Sequence, residues 1–307
     1  MNMKKISTFD ELLKQYVLEK PLCSATVSSY TRILRCFIRD TKIIQLNEIT
    51  LTPLLEWRLT VITRTSDISW NTYLRHMRAL WKFAILREYV PLSDPFKELN
   101  WGKYKKSSKQ KTISQKQLTS IMTFLSNPEC ILEPCWFWKI VIRFMYFTGV
   151  RRKQLITIKW GDLDLNHQTI HLSMEGEKTD ASRRLPLQDS LIADLRKYKL
   201  LVQHHYPKAF SPNSQLFNVT LFYDRYKGEE MSEEQVSGFF RRLSKGLEFN
   251  ISPHMLRHTM ATEMAKTGQI KTLQQILGHS DISTTMNFYV HPDINQLRSL
   301  VNTLNDI

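Results

Sequence analysis

No two cysteines of this chain form a CxxC pair. The four are Cys23, Cys36, Cys130 and Cys135, and the last two stand in an apolar, proline-containing stretch with no matching second pair. Buried free thiols are the expectation, and a zinc site is not. No apolar run reaches membrane-spanning length, because CWFWKIVIRFMYF is cut by Lys139 and Arg143. The N-terminal MNMKKISTFDELLKQY lacks the long apolar core of a secretory signal. There is no internal repeat, no low-complexity segment and no glycine-rich phosphate loop. These absences set aside secreted, membrane and P-loop classes and lead us to expect a soluble, cytoplasmic protein.

Acidic side chains are the other shortage. Asp and Glu number 29 against 43 Lys and Arg, a formal net charge of +14 and a pI near 9.6. A solvated surface needs no such excess. The balance favours a polyanionic partner, nucleic acid before membrane. With 307 residues, 42% of them hydrophobic, the chain exceeds what one core usually serves, so two domains are expected.

A first helix is predicted over residues 7–20, capped by Ser7 or Thr8 with Glu11 in its first turn. A second, over 24–40, repeats Val27, Tyr30, Ile33, Leu34, Phe37 and Ile38 at helical spacing, with Arg32, Arg35 and Arg39 on another face. A short third helix follows Thr52 and Pro53. The fourth, over 69–89, sets Arg75, Arg78 and Lys82 beside an apolar stripe. Such basic stripes are usually solvated faces. The scarcity of acids within these two helices favours a groove against phosphates. Pro91 and Pro95 end the fourth helix, and five lysines follow from Lys103 to Lys111, Lys105 and Lys106 among them. That run reads as an extended linker, either a strap along a DNA backbone or a plain hinge. Beyond it come a capping box at Ser114 and Gln117, an apolar helix ending at Thr148-Gly149, and a hairpin pairing 169–173 with 183–187 across MEGEKTDAS. Helices are plausible over 188–204 and 232–246, with a poorly defined loop over 205–231.

The densest chemistry is C-terminal. His254, Arg257, His258, His279 and Tyr289 fall within HMLRHTMATEMAKTGQIKTLQQILGHSDISTTMNFYVH. Metal binding is the first rival, since His254 and His258 stand at i and i+4. Arg257 lies between them, however, and Met255 breaks the HExxH pattern. Metal-free phosphoryl transfer suits these residues better. Arginines can balance the charge on the non-bridging oxygens of a phosphodiester. A tyrosine among cations can act as phenolate nucleophile, and a lysine can protonate the departing oxygen. His258 reads as a core histidine.

TGVRRKQLITIKWGDLDL and the C-terminal stretch above resemble the two signature boxes of the tyrosine recombinases, the phage-integrase family. EKTDASRRLPL is similar to the family's lysine-bearing β-hairpin. The resemblance implies that Arg151 and Arg257 hold the scissile phosphate and that His279 adds a hydrogen bond. Tyr289 attacks to give a 3′-phosphotyrosyl link, Lys178 protonates the 5′ oxygen, and His254 assists proton transfer. The covalent link keeps the energy of the phosphodiester, so no cofactor, metal or nucleotide is expected. Gln154 stands where the family often has an acid, and Arg152 adds a cation beside Arg151.

The fold implied is mainly α with a small antiparallel sheet, arranged as a two-domain DNA clamp. Residues 1–96 form a helical core-binding domain, 97–111 a basic linker and 112–307 a catalytic domain with a C-terminal tail. The additional arm-binding domain of some integrases is not expected. Lys103, Lys105 and Lys106 join the stripes of Arg32, Arg35, Arg39, Arg75, Arg78 and Lys82 as DNA-binding candidates. The partners implied are double-stranded DNA recombination sites and further copies of the chain, as a tetramer on two sites, with no membrane. Accessory DNA-bending factors are a further class the resemblance allows. The tail, with Ile294, Leu297, Leu300, Val301 and Leu304 at helical spacing, packs on its own domain or docks on a neighbour. Integration or excision of a mobile element is the favoured role. Dimer resolution, topoisomerase-like relaxation and non-catalytic DNA binding are the alternatives.

Overall fold

The computed structural model describes residues 6–103, 112–173 and 182–278. Lys105, Lys106, Lys178, His279, Tyr289 and the C-terminal tail lie outside the described residues. The chain divides into two compact units, Met1–Ser108 and Lys109–Ile307. Among the described residues no helix is long and apolar enough to cross a membrane.

Among its described residues the first unit has four α-helices, α1 (Phe9–Glu19), α2 (Ser24–Thr41), α3 (Leu51–Arg64) and α4 (Asp67–Leu86). Local chemistry starts α1. Thr8 Oγ1 accepts the Glu11 N–H, and the Glu11 carboxylate accepts the N–H groups of Ser7 and Thr8. Those backbone donors hold the Glu11 carboxyl below its usual range. α3 begins before Pro53 and runs fourteen residues, longer than the short helix expected. Pro53 falls in the first turn, where no intrahelical N–H is needed. The core is aromatic: Phe37 touches Phe9 at 5.1 Å and Trp57 at 5.0 Å, and Trp57 meets Trp70 at 5.1 Å between ring centroids.

This unit extends past residue 96, where a linker was expected to begin. Phe96 and Leu99 are buried in its core. Asn71 brackets Gly102, accepting its N–H at 2.7 Å and donating to its carbonyl at 3.1 Å. Arg78, assigned from sequence to a DNA-facing stripe, is turned on this segment instead. It donates to the carbonyls of Phe96, Lys97 and Leu99 at 2.7–3.0 Å and lies 4.7 Å over the Trp101 ring. A guanidinium can gather three carbonyls because its donors are fixed in one plane.

The second unit contains α5 (Gln115–Ser126), α6 (Cys135–Thr148), α7 (Arg152–Thr157), α8 (Asp189–His205), α9 (Glu233–Gly246), α10 (Pro253–Ala265) and α11 (Ile270–Leu277). Between α7 and α8 lies an antiparallel sheet of β1 (Leu163–Asp164), β2 (Thr169–Leu172) and β3 (Arg183–Pro186), in that order. The hairpin register pairs Ile170 with Leu185 and Leu172 with Arg183. β1 was not anticipated, being too short to show a period. α6 is the central helix. It buries Phe137, Trp138, Val141, Ile142, Phe144 and Met145 and packs against α5, α8 and α10. Trp138 stacks on Phe239 of α9, with ring centroids 4.0 Å apart.

Two expectations are corrected here. The loop over 205–231 is ordered by Gln215, whose buried amide donates to the Ile156 and Met231 carbonyls and accepts the Met231 N–H, all within 2.9 Å. Cys130 and Cys135 are not free thiols but a disulfide. The turn before α6 brings their Cα atoms to 6.6 Å, within bridging reach. Cys23 and Cys36 are free.

The Arg78 contacts make a test. Arg78→Ala is expected to lower the local stability of residues 96–102 by about 1.5–3 kcal/mol, the range for hydrogen bonds to a charged donor. Hydrogen exchange in that segment should then quicken about tenfold or more. Unchanged exchange would show that these contacts hold nothing.

Candidate active site

The site is built where three helix ends meet. α6 stops at Gly149, which takes a left-handed conformation at φ 62°. A Cβ there would stand 2.0 Å from Met260 Cε, so the position is restricted by backbone conformation and by space. Val150 is buried, and Arg151 is the extended residue that begins α7. α10 starts at Ser252, whose hydroxyl accepts the Met255 N–H, with Pro253 in the first helical position. α11 ends at Leu277, with Gly278 again left-handed.

Arg257 joins these ends. It is 3% exposed, and its Nη1 donates to the Gly149 carbonyl at 2.5 Å and its Nη2 to the Leu277 carbonyl at 2.7 Å. A buried cation is costly unless it is hydrogen-bonded. Here it faces the carbonyl ends of α6 and α11, where the helix dipoles are negative. Thr259, on the same helix, accepts the Ile113 N–H at 2.8 Å and fixes the start of the described unit to α10. Arg183 of β3 donates to the Ile276 carbonyl at 3.0 Å and ties the hairpin to α11.

Arg151, His254 and Arg257 line one cleft of about 570 Å³, with Lys153, Ser252 and Pro253. The N-terminus of α10 contributes to its wall. Basic side chains and a helix N-terminus together suit an anion. Arg152 also lines the cleft, but it is paired with Glu233 at 2.8 Å and bonded to Ser237 at 2.5 Å. The extra cation seen beside Arg151 in the sequence is therefore balanced by α9. Gln154 is 1% exposed, and its Oε1 accepts the Arg151 N–H at 3.3 Å. The amide thus caps α7 without adding the negative charge an acid would bring. His258 is buried, and its Nε2 meets His254 Nε2 at 2.8 Å.

Three of the six predicted catalytic residues, Arg151, His254 and Arg257, are therefore brought together. Lys178, His279 and Tyr289 lie outside the described residues. Sequence reasoning missed Arg183 and Thr259. Nothing local marks either one, since each acts on a residue far away in the chain.

On the first unit, Arg32, Arg35 and Arg39 of α2 line a groove of about 480 Å³. Arg39 is paired with Asp40 at 2.9 Å, and Asp40 also binds Arg64 at 2.8 Å. Burial would raise the Asp40 carboxyl, but Arg64 and Arg39 outweigh it and hold it below its usual range. Arg75 and Lys82 are exposed on α4, and Lys103 is exposed beyond it.

Residues 111–296 match the model of the phage integrase family. The chain belongs to that family. It is 30% identical over 311 residues to a Pseudomonas syringae protein provisionally named tyrosine recombinase XerC, covering 97% of this chain and 64% of that protein. This member thus spans less than two thirds of that relative's length. Its fold is similar to that of the Tn1549 transposon integrase, solved in complex with a circular intermediate DNA. The TM-score is 0.78 at 21% identity, over 97% of this chain and 100% of that one. It is similar also to the lambda integrase, solved as a tetramer bound to a Holliday junction. There the TM-score is 0.72 at 17% identity, over 92% of this chain and 77% of that one. At these identities the likeness to the solved structures is one of fold. The mainly helical architecture with a small antiparallel sheet is that of the integrases.

Gly149 gives the sharpest test of this framework. Gly149→Ala is expected to destabilise the second unit by about 2 kcal/mol or more, from left-handed backbone strain and crowding of Met260. A thermal unfolding midpoint equal to that of the unaltered protein would contradict it.

Proposed function

We propose that this member of the phage integrase family is a site-specific DNA recombinase that cuts and rejoins strands through a 3′-phosphotyrosyl intermediate. The observation that carries the reading is the cleft in which Arg151, His254 and Arg257 meet, although they come from two distant segments. Arg151 and Arg257 hold the non-bridging oxygens of the scissile phosphate, and the α10 N-terminus adds a favourable field. Tyr289 attacks phosphorus, the bond to the 5′ oxygen breaks, and Lys178 gives that oxygen its proton. His279 adds a hydrogen bond to the phosphate, and His254 handles the phenolic proton. Rejoining runs the same steps in reverse, the 5′ hydroxyl attacking the phosphotyrosyl link. Charge neutralisation by the arginines does the work, with no nucleotide consumed.

Duplex DNA is the substrate, bound by the second unit at the cleft and by the first through Arg32, Arg35, Arg75, Lys82 and Lys103. The linker lysines Lys105 and Lys106 add backbone contacts. Arg39 and Arg78 are assigned to holding the first unit together, since each is bonded within it. Four copies act on two sites through a Holliday junction, in the cytoplasm, where the protein sits on DNA. The biological exchange assigned is integration or excision of a mobile element. Gln154 and the MNFYVHPD segment, which depart from a housekeeping-like pattern, support that role over resolution of chromosome dimers. Excision of a circle bounded by attachment repeats beside the gene is the outcome expected in cells.

A pool of nicked duplexes of degenerate sequence tests the chemistry. The protein should form adducts that survive denaturation, and Tyr289→Phe should bind the pool but form none. A wild-type protein that traps no adduct ends the recombinase reading and favours a binding factor. Relaxation of supercoils without strand exchange between two sites would point to a topoisomerase. For the first unit, Arg35→Ala should weaken binding across all sequences and lower the salt slope of log K by about 1.

A further inference from the structure

Two histidine rings of α10 share a contact that the reaction above leaves unused. His254 is exposed at the cleft, and His258 lies one turn further along, 8% exposed. Their Nε2 atoms are 2.8 Å apart, and the rings meet edge to face with centroids at 4.3 Å. Two imidazole nitrogens approach this closely only when one carries a hydrogen and the other a lone pair. Two hydrogens would collide, and two bare lone pairs would repel. One proton therefore lies between the rings, so the two Nε2 atoms take complementary roles, one donor and one acceptor. The i, i+4 spacing on one helix holds both rings in place.

The contact decides what the second nitrogen of His254 can do. If His258 donates, neutral His254 carries its own hydrogen on Nδ1 and cannot take another there. If His254 donates through Nε2, its Nδ1 is a base. The surroundings favour the second arrangement as the working one. Arg151, Arg257 and the positive end of α10 all oppose an imidazolium at His254. An acceptor on its far nitrogen offsets that opposition when the proton arrives.

We propose that His258 is a positioning residue for strand cleavage, its Nε2 accepting the hydrogen of His254 Nε2 so that His254 Nδ1 takes the phenolic proton of Tyr289. This rests on the recombinase reading. As the Tyr289 oxygen bonds to phosphorus, its O–H breaks and an N–H forms at His254 Nδ1. The 5′ oxygen leaves with the proton of Lys178. Rejoining returns both protons.

The test pairs two amides with opposite reach. His258→Gln places an amide where Nε2 stood and keeps the contact. His258→Asn keeps a polar side chain but is too short to meet His254. On the nicked pool, His258→Asn is expected to slow adduct formation about 10- to 100-fold, part of what positioned proton transfer commonly supplies, and His258→Gln to stay within about threefold. In a His254→Ala background, His258→Asn should cost nothing more, because its effect passes through His254. The idea is overturned if folded His258→Asn cleaves at the wild-type rate. It is overturned too if the same cost persists without His254, which marks a purely structural role. Should His258→Asn fail to fold, His258→Leu serves in both comparisons. Absence of any wild-type adduct would instead sink the recombinase reading itself, so the two failures are distinguishable.

Discussion

Arg257 sits between the carbonyl ends of two helices, and the site depends on that placement. The Gly149 carbonyl ends α6 and the Leu277 carbonyl ends α11. Each helix end leaves backbone acceptors that need donors, and one guanidinium serves both. The buried cation is stabilised by the negative ends of two dipoles, and the helix ends are satisfied by the cation. Neither requirement is met without the other. Because α6 is packed among α5, α8 and α10, the arginine is referenced to the core rather than to a loop. In the phosphate-holding role proposed for it, Arg257 would gain from such rigidity, since catalysis by fixed charges needs little reorganisation.

The cations of this chain divide by what they hold. Arg78 gathers backbone carbonyls, Arg39 and Arg64 share Asp40, and Arg152 is matched by Glu233. Arg39 and Arg78 sit in stripes that look alike as sequence. Arg32, Arg35, Arg75 and Lys82 are exposed in the first unit. The net charge of +14 already counts Asp40 and Glu233, so these pairs leave the excess unchanged and decide only where it is presented. Among the described residues, Arg32 and Arg35 line the α2 groove, and Arg151, Lys153 and Arg257 line the cleft beside α10.

Legibility in the sequence followed the range of the interaction. The capping box of Thr8 and Glu11, that of Ser114 and Gln117, and the glycine stop at Gly149 involve residues within a turn of one another. Their chemistry is written in consecutive residues, and each was anticipated. The pairing of β2 with β3 was also readable, because alternation on both sides of a short turn fixes a register. Gln215 carries no such signal. It does the work of a strand with a single side chain, so no period announces it. Arg78 has helical spacing with Arg75 and Lys82, and spacing alone cannot tell a solvent-facing guanidinium from one folded back on its own chain. The disulfide of Cys130 and Cys135 depends on the turn between them, which sequence spacing does not describe.

The helix α10 shows why the candidate site had to be pieced together from distant segments. One face of its first two turns carries His254 and His258, joined to each other, and Arg257, joined to the ends of α6 and α11. A fourth residue, Thr259, fixes the segment that enters the unit at Ile113. A thirteen-residue helix thus sets the position of its neighbours through side chains that also face the cleft or touch those that do. Substitutions along α10 therefore cannot be sorted simply into structural and chemical ones. The same bonds that order the fold determine where a phosphate's charge would be met. That double use explains how a short stretch of sequence could carry so specific a pattern while Ile113, which α10 holds through Thr259, stood unremarked far upstream.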